Sequence, residues 1–407
     1  MTHPPVSVVV VSRGRPDALS LCLTGLAQLR YPAFEVVVVA DPDGISAAAA
    51  APSAALLKLV PFDAPNISAA RNAGIAVAAG EVVAFIDDDA VPEPTWLSHL
   101  IAPFAQPEVG AAGGFVLGRN GLSFQWRGQR LDRFAAGTEL PLGEDAVILT
   151  PEPGTAIKTE GTNMAVRREA LVALGGFDPA YHFFLDETDL NMRLAAAGYA
   201  TALVPRAQVH HGYAPSGRRR ADRAPRDLFD IGASWAVFQR NHLDPAAHAA
   251  HWDGQRGHQR RRVLGHMVAG RLEPRDVRRL LAGLDAGYAA GQARALGGGK
   301  ISAAPPRPFQ AMPVRDGAHV VISARPWRAS AARAEARAAV KNGAIVTLLL
   351  LSPTTLYHRV RFRAEGYWEQ TGGQFGRSVR DARLIQWHGF RSRTRIETNR
   401  IEKIRTP

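Results

Sequence analysis

The sequence predicts an α/β fold built on a doubly wound sheet. In the first half, short β-branched runs that are typical of buried strands alternate with helical stretches of about 10–15 residues. Such alternation favours neighbouring strands that run parallel, with helices between them. The chain has 407 residues, of which 46% are hydrophobic and 21% are charged. A chain of this length and composition is expected to form two or three globular domains.

The predicted elements of the sheet follow one another in order. The first strands are predicted at residues 6–11, 35–40, 56–60 and 82–86, and the first helices at 16–29 and 69–79. After them come helices at 95–104, 167–174 and 186–197 and strands at 109–116 and 200–204. Ser68 can cap the helix at 69–79, and residues 41–44 are expected to form a turn. No G-x-G-x-x-G follows the first strand, which argues against a dinucleotide-binding domain.

The strongest chemical signal lies at residues 80–92, which read G-E-V-V-A-F-I-D-D-D-A-V-P. Asp87, Asp88 and Asp89 directly follow a predicted buried strand. In open α/β sheets, ligands bind outside the carboxyl ends of the strands. Three adjacent carboxylates repel one another unless a cation lies among them, and hard cations such as Mg²⁺ prefer oxygen ligands. A solvated acidic turn is the alternative, and the position after a strand favours a metal or nucleotide site.

A second set of candidate functional side chains lies near the end of the first half. Asp186, Glu187 and Asp189 open a predicted helix, where the helix macrodipole alone favours carboxylates. Helix stability and a functional role therefore both remain open for them. His210 and His211 follow the next predicted strand. A buried structural histidine is the alternative for each, and their adjacency favours a functional role for one of them.

The cysteine content and the apolar runs of the sequence predict the cellular compartment. Cys22 is the single cysteine, so no disulfide can form within the chain, and a reducing compartment is expected. The amino terminus lacks the pattern of a secretory signal, and the longest apolar runs are far shorter than the roughly 20 residues that span a bilayer. We therefore expect a cytoplasmic protein.

The net charge of +12 is unevenly distributed. Residues 1–213 carry 14 basic and 22 acidic side chains, a net charge of −8. Residues 214–407 carry 35 basic and 15 acidic side chains, a net charge of +20. Such a basic half can face nucleic acid or an anionic membrane, or it can be a solvated basic surface.

The second half is expected to contain helices and then a small α/β segment. A helix is predicted at 228–242, two or three Arg- and Ala-rich helices at 245–296, and a β-α-β unit at 320–323, 329–341 and 344–351. These features divide the chain into four predicted parts. They are a first domain at 1–213, a basic helical region at 214–296, a Gly/Pro linker at 297–312 and a basic α/β segment of unknown role at 313–407.

Residues 6–213 resemble glycosyltransferase family 2, the inverting enzymes of the GT-A fold. Five segments match in the family's order, and together they cover about half of the chain. They are V-S-V-V-V-V-S-R-G-R-P, A-A-R-N-A-G-I-A-V-A-A-G-E-V-V-A-F-I-D-D-D with its D-x-D motif, G-T-N-M-A-V-R-R-E-A-L-V-A-L-G-G-F-D, F-L-D-E-T-D-L-N-M-R-L and V-H-H-G. The resemblance implies a Rossmann-like mixed sheet with helices on both faces, and it does not extend to residues 215–407.

The resemblance also implies roles for individual residues. The donor-binding set is Ser12, Arg15, Asp41, Arg71, Asp87 and Asp88. The metal set, for Mn²⁺ or Mg²⁺, is Asp89 with His211 and His210, and the acceptor-side set is Asn163 and Asp189. The family's Glu-Asp pattern stands here as Asp186-Glu187, so matching by position makes Glu187 the catalytic base, and the swapped order leaves Asp186 as a rival.

The implied function is inverting, metal-assisted transfer of a sugar from a nucleotide-sugar donor to an acceptor hydroxyl. The acceptor would be a glycan or a lipid-linked glycan in surface polysaccharide biosynthesis, and the basic half would hold the enzyme at the inner face of an anionic membrane. One alternative is a glycosyltransferase-like, non-catalytic protein whose basic half binds an anionic membrane or nucleic acid. For nucleic acid, Trp327, Trp368 and Trp387 would be the stacking platforms, although no recognised nucleic-acid motif supports this. A nucleotidyltransferase is a further alternative, for which residues 12–15 are a faint match.

Overall fold

The computed structural model describes residues 3–212 and 217–406. The predicted domain boundary between residues 213 and 214 lies outside the described residues. The division into domains therefore stays a prediction, and the elements are described below in chain order.

The first half contains a large sheet, a small sheet and the helices that pack on them. Its elements are β1 (Val6–Ser12), α1 (Pro16–Leu26), β2 (Phe34–Ala40), α2 (Pro42–Ala49), β3 (Leu57–Pro61), α3 (Ile67–Val77), β4 (Val82–Asp87), β5 (Ala90–Pro92), α4 (Trp96–Ile101), β6 (Val109–Leu117), β7 (Phe124–Trp126), β8 (Gln129–Leu131), β9 (Gly137–Glu139), β10 (Val147–Leu149), β11 (Ala156–Lys158), β12 (Met164–Arg167), α5 (Arg168–Leu174), α6 (Asp186–Ala196) and β13 (Ala200–His211). The large sheet has the strand order β10-β13-β6-β12-β4-β1-β2-β3, with β5 beside β13 and β7 beside β6.

The large sheet is mixed. Strands β3, β2, β1 and β4 are parallel neighbours, and β12 lies antiparallel between β4 and β6. Because β12 runs the opposite way, the residues that precede it lie beside the carboxyl end of β4. The three-stranded sheet has the order β11-β8-β9.

Helices cover both faces of the large sheet because alternate side chains of each strand point to opposite faces. Val8 and Val10 of β1 pack in one core with α1, α2 and α4. Val9, together with Phe85 of β4, packs in a second core with α3, α5 and α6. Runs of valine in the sequence therefore mark strands that are buried on both sides.

Two local predictions are wrong. Residues 41–44 do not form an isolated turn, because Asp41 caps α2: its Oδ1 accepts a hydrogen bond from the Gly44 amide at 3.1 Å. Ser68 does not cap α3, because Asn66 holds that position and accepts from the Ala69 amide at 2.9 Å. The oxygen of an asparagine or an aspartate at this position satisfies an amide that the first helical turn leaves unpaired.

The second half contains three helices, a four-stranded sheet and a final helix. Its elements are α7 (Phe229–His242), α8 (Pro245–Val268), α9 (Pro274–Ala293), β14 (His319–Ala324), α10 (Ala329–Lys341), β15 (Ile345–Ser352), β16 (Arg359–Phe362), β17 (Tyr367–Gly373) and α11 (Phe390–Arg405). The sheet has the order β14-β15-β17-β16, in which the first three strands are parallel and β16 is antiparallel. The predicted β-α-β unit corresponds to β14, α10 and β15.

Small residues let α7 and α9 approach closely. A Cβ atom on Gly287 would lie 1.9 Å from the Phe229 carbonyl oxygen, and one on Gly232 would lie 2.0 Å from that of Leu284. Helix α7 in turn contacts α6, since His242 Nε2 lies 2.8 Å from Asp189 Oδ1. Helix α7 therefore supports α6, the helix that begins with Asp186 and Glu187.

The end of the chain packs against the large sheet. The segment before β14 runs along β2, where the Met312 amide donates to the Phe34 carbonyl at 2.8 Å. Arg405, in the last turn of α11, forms a buried ion pair with Glu93, which follows β5, at 2.7 Å. Trp368 of β17 is buried at 1% exposure, so its predicted role as a stacking platform for nucleic acid is wrong.

None of the helices in residues 3–212 and 217–406 combines the length and the apolar character that a bilayer crossing needs.

Candidate active site

The last residue of β4, Asp87, and the turn that follows it, with Asp88 and Asp89, place the three aspartates at the carboxyl edge of the large sheet. Ser12, at the end of the neighbouring β1, donates a hydrogen bond to Asp88 Oδ2 at 2.7 Å. The Arg15 guanidinium lies 2.6 Å from Asp88 Oδ1 and 3.3 Å from Asp89 Oδ2. Burial raises the pKa of Asp88 to about 7, although Arg15 acts in the opposite direction. The structure thus brings Ser12, Arg15 and Asp88 together, with Asp88 anchoring the loop.

Asp41 holds the first loop from the other side. Its Oδ2 accepts from the Gly14 amide at 2.8 Å, and Gly14 has a φ of 67°, a conformation that favours glycine. Since Asp41 also caps α2, both of its carboxylate oxygens have backbone partners. The structure therefore places Asp41 beneath the loop that carries Arg15.

Three groups at this edge can hold a metal ion. One oxygen each of Asp87 and Asp89 and one ring nitrogen of His211 all lie within 4.8 Å of one another. His211 Nε2 is 3.2 Å from Asp89 Oδ1, and its Nδ1 is 2.9 Å from Gln125 Oε1, a contact that fixes the orientation of the ring. Burial lowers the pKa of His211, but Asp89 and Asp87 outweigh it and raise the pKa. The cluster is therefore a site of negative potential that favours a cation.

This set of ligands fits a divalent ion. Carboxylate oxygens suit Mg²⁺ and Mn²⁺, and an imidazole adds a nitrogen ligand that transition ions accept. A set of two carboxylates and one histidine leaves coordination positions for the oxygens of a phosphate. We refer to Asp87, Asp89 and His211 as the metal cluster.

His210 lies outside the metal cluster. Successive side chains of β13 point to opposite faces, so His210 turns away from His211. Its Nε2 is 2.7 Å from Glu93 Oε1, and its ring packs 4.5 Å from that of Trp368. Of the two predicted histidines, the structure brings only His211 to the aspartates.

The second acidic cluster faces the first across Arg71. Asp186 and Glu187 open α6, after two non-glycine residues, Phe184 and Leu185, with φ of 70° and 66°. Left-handed backbone at such residues is uncommon and is often found at functional sites. Arg71 of α3 donates to Asp186 and lies 3.6 Å from Asp87 Oδ1. One guanidinium therefore bridges the two acidic motifs.

The surroundings of Asp186 and Glu187 shift the pKa values of the two carboxyl groups in opposite directions. Burial raises the pKa of Asp186 well above its ordinary value, with Arg71 opposing and the charge of Glu187 adding to the rise. Burial also acts to raise the pKa of Glu187, but the charge of Lys158 and a hydrogen bond from Asp186 outweigh it and lower the pKa. The surroundings of the pair therefore favour negative charge on Glu187 over negative charge on Asp186.

Sequence reasoning missed three polar residues at this site. Lys158 Nζ is 2.8 Å from Glu160 Oε1, and Thr162 donates to Asp87. Burial and the charge of Glu187 raise the pKa of Glu160, although Lys158 opposes them. The available signal was the polar run T-E-G-T-N directly before β12, but only the antiparallel course of β12 places that run beside β4.

The two residues predicted on the acceptor side are both buried, and their role at the acceptor stays a prediction. Asn163 is buried and accepts from Trp96 Nε1 at 2.7 Å while it donates to backbone carbonyls. Asp189 is buried on α6 and pairs with Arg193 and His242 at 2.7 and 2.8 Å.

A family model now places the chain among known proteins. The model of "Glycosyltransferase like family 2" matches residues 3–226. The chain belongs to this glycosyltransferase-like family 2. Membership confirms the resemblance seen in the sequence, and with the mixed sheet it confirms the predicted GT-A type fold class.

Curated relatives are similar over parts of their length. The O-antigen biosynthesis protein RfbC of Myxococcus xanthus is 30% identical over 264 residues, which are 58% of this chain and 19% of that protein. The pre-mycofactocin glycosyltransferase of Mycobacterium tuberculosis is 28% identical over 254 residues, which are 60% of this chain and 50% of that protein. The chain thus spans about a fifth of the first relative and half of the second.

Solved structures that are similar to part of this chain include two complexes that contain Mn²⁺. GalNAc-T7 with UDP, GalNAc and Mn²⁺ gives a TM-score of 0.43 at 14% identity, covering 61% of this chain and 56% of that one. The mannosyltransferase PcManGT of Pyrobaculum calidifontis, in complex with GDP-Man and Mn²⁺, gives 0.41 at 18% identity, covering 72% and 88%.

Proposed function

We propose that this family member transfers a sugar from a nucleotide-sugar donor to an acceptor hydroxyl, with inversion at the anomeric carbon. The observation that carries the proposal is the meeting of two acidic motifs across Arg71. One motif can hold a cation, and the other places two buried carboxyl groups side by side in surroundings that favour negative charge on Glu187. These are the two functions that inverting transfer from a diphosphate requires.

The donor is held at the carboxyl edge of the large sheet. Asp87, Asp89 and His211 would hold Mn²⁺ or Mg²⁺, which when bound neutralises charge on the diphosphate leaving group. Asp87 also contacts the nucleoside or its ribose, and Thr162 orients its carboxylate. Arg15 lies at the same edge and supplies a cation for the donor phosphates.

Glu187 acts as the base. It takes the proton from the acceptor hydroxyl, and that oxygen attacks the anomeric carbon while the bond from this carbon to the diphosphate oxygen breaks. The electron pair of that bond leaves with the nucleoside diphosphate, and the configuration inverts because attack and departure occur on opposite faces. Asp186 positions Glu187, and the charge of Lys158 lowers the pKa of Glu187 and so favours the ionised form of the base.

The acceptor is a glycan or a lipid-linked glycan in the synthesis of a surface polysaccharide. The name of the 30%-identical relative, an O-antigen biosynthesis protein, supports this class of acceptor.

The proposal is tested with a panel of nucleotide sugars and Mn²⁺ or Mg²⁺, by calorimetry for binding and by release of nucleoside diphosphate for turnover. Asp89→Ala should weaken metal-dependent donor binding by at least about tenfold. Glu187→Gln should retain binding and lower kcat by about 10²–10⁴-fold. The matched controls, Asp43→Ala and Glu169→Gln, change exposed carboxylates and should behave as wild type. Binding of no donor with either metal would refute the proposal.

A further inference from the structure

The four-stranded sheet of β14, β15, β17 and β16 is called the C-terminal sheet here. The exposed large hydrophobic side chains concentrate at one edge of this sheet. Within the described residues eleven such side chains are exposed, and six of them lie in loops that follow β14, β15 and β17. These three strands are parallel, so their carboxyl ends meet at one edge. We call the six residues the apolar edge: Trp327, Leu356, Val379, Leu384, Ile385 and Trp387, which are between 48% and 83% exposed.

Contacts between the loops hold the apolar edge together. Arg325, after β14, donates to Gln374 Oε1, after β17, at 2.6 Å. The Arg377 guanidinium lies 5.3 Å from the centre of the Tyr357 ring, which joins the loop after β17 to the loop after β15. The three loops therefore form one continuous surface.

Cationic side chains surround this surface. Residues 374–391 contain four arginines and one aspartate, and Arg380, Arg383 and Arg391 are exposed, as is Arg328 near Trp327. Exposed tryptophan and aliphatic side chains interleaved with arginine are the composition of a surface that lies in the interface of an anionic bilayer. A single-stranded nucleic acid would stack on aromatic rings and would make no use of the four aliphatic members of the edge.

The apolar edge borders a route to the metal cluster. Val379 lines a cavity of about 790 Å³ between the C-terminal sheet and the large sheet. A second cavity of about 350 Å³ contains Asp89 and His211. The two cavities share wall residues, among them His210 and Val360, so they adjoin.

We propose that the apolar edge rests on an anionic lipid bilayer and that the adjoining cavities admit the head group of a lipid-carried acceptor to the metal cluster. The membrane contact is inferred from the composition of the apolar edge and does not depend on the proposed glycosyl transfer. The acceptor route rests on the proposed glycosyl transfer, and it explains why the C-terminal sheet lies against the site.

The contact is tested by sedimenting the full chain with vesicles of phosphatidylcholine, with and without about 30% phosphatidylglycerol, near 0.1 M salt. Wild type should bind the anionic vesicles more tightly. Leu384→Ser with Trp387→Ser should weaken binding to them by about tenfold or more. Arg380→Gln with Arg383→Gln should weaken it by about 25-fold, since each basic residue contributes roughly fivefold.

A control makes changes of the same kind, an exposed apolar side chain to serine and an exposed arginine to glutamine, on another surface. Val268, at the end of α8, is 85% exposed, and Arg260 of the same helix is exposed. Val268→Ser with Arg260→Gln should bind vesicles as wild type does. Equal losses in the control and the edge variants, no binding to anionic vesicles, or binding to a polyuridine oligonucleotide in place of vesicles would each overturn the membrane contact.

The acceptor route is tested with octyl and hexadecyl glycosides as paired acceptors, the second embedded in the vesicles. The edge variants should lose turnover on the embedded acceptor and keep it on the soluble one; equal turnover on both would overturn the route. Glu187→Gln should still bind vesicles. Vesicle binding without turnover of any donor would instead refute the proposed glycosyl transfer and leave the membrane contact standing.

Discussion

Replacing Arg405 by methionine should weaken the packing of α11 against the large sheet and lower the free energy of unfolding. Arg405 is 2% exposed and donates to the two oxygens of Glu93 at 2.7 and 2.9 Å, while the Glu93 side chain is fully buried. The guanidinium also lies 4.4 Å from the centre of the Trp368 ring. Methionine keeps the length and the apolar stem of the side chain and removes only the charge and its hydrogen bonds.

Two independent arguments give a similar loss in the free energy of unfolding for Arg405→Met. Removing one partner of a buried ion pair costs about 3–5 kcal/mol, because the other charge is left buried. Burial acts to raise the pKa of Glu93, but Arg405 and the bond with His210 outweigh it and lower the pKa from 4.5 to about 2. That difference corresponds to about 3 kcal/mol of stabilisation of the carboxylate.

The contribution has a defined pH dependence. The pKa of Glu93 is lower in the folded protein than in the unfolded chain, so its stabilisation is fully present above pH 4.5. It is lost as the pH falls toward 2. The difference in the free energy of unfolding between wild type and Arg405→Met should therefore be about 3–5 kcal/mol at pH 7 and less than about half of that at pH 3.

The assay is urea unfolding followed by tryptophan fluorescence, to which Trp368 contributes. Lys403→Met is the matched control on the same helix: Lys403 lies 3.5 Å from Glu144, and both side chains are exposed, at 61% and 70%. Such a pair should change the free energy by less than about 0.5 kcal/mol. A loss below about 1 kcal/mol for Arg405→Met at pH 7, or a loss that stays constant down to pH 3, would refute the reasoning.

The remaining predictions concern the site. Lys158→Met should raise the pKa of Glu187, because it removes the charge that lowers it, and the acid limb of kcat/KM should move to higher pH; an unmoved limb contradicts this. His211→Ala should weaken Mn²⁺ binding in calorimetry by at least about tenfold, whereas His210→Phe should change it by less than about threefold. In the same titration Thr162→Val should weaken Mn²⁺ binding several-fold, since Asp87 loses the bond that orients it; unchanged binding excludes that role.

The features of the fold that could be predicted depend on neighbours in sequence. The valine runs of β1 and β2 and the aspartates after β4 are local patterns, and strands buried on both faces follow from them directly. The place of Asp87 at the carboxyl edge then follows from parallel pairing. The functional role of Asp186 and Glu187 was predicted only from the family resemblance, because carboxylates in the first turn of a helix also stabilise the helix itself.

The features that could not be predicted depend on pairing between distant segments. Lys158 and Glu160 reach the site because β12 is antiparallel to β4, and no local pattern sets the direction of a strand. The separation of His210 from His211 follows from the period of two along a strand. It could have been predicted had β13 been expected to continue to residue 211, but the predicted strand ended at 204.

The two adjacent histidines connect both halves of the molecule. His211 faces the metal cluster, while His210 contacts Glu93, which Arg405 holds from the last turn of α11. Because both histidines lie on β13, a displacement of Glu93 acts on the backbone that positions His211. The Arg405→Met variant should therefore lose stability, while its Mn²⁺ affinity should fall by less than about threefold, as expected for His210→Phe. Under the proposed function and the proposed membrane contact, β14–β17 and α11 would serve the site in two ways: they would support His211 through Glu93 and His210, and they would present the apolar edge beside the cavities that adjoin the metal cluster.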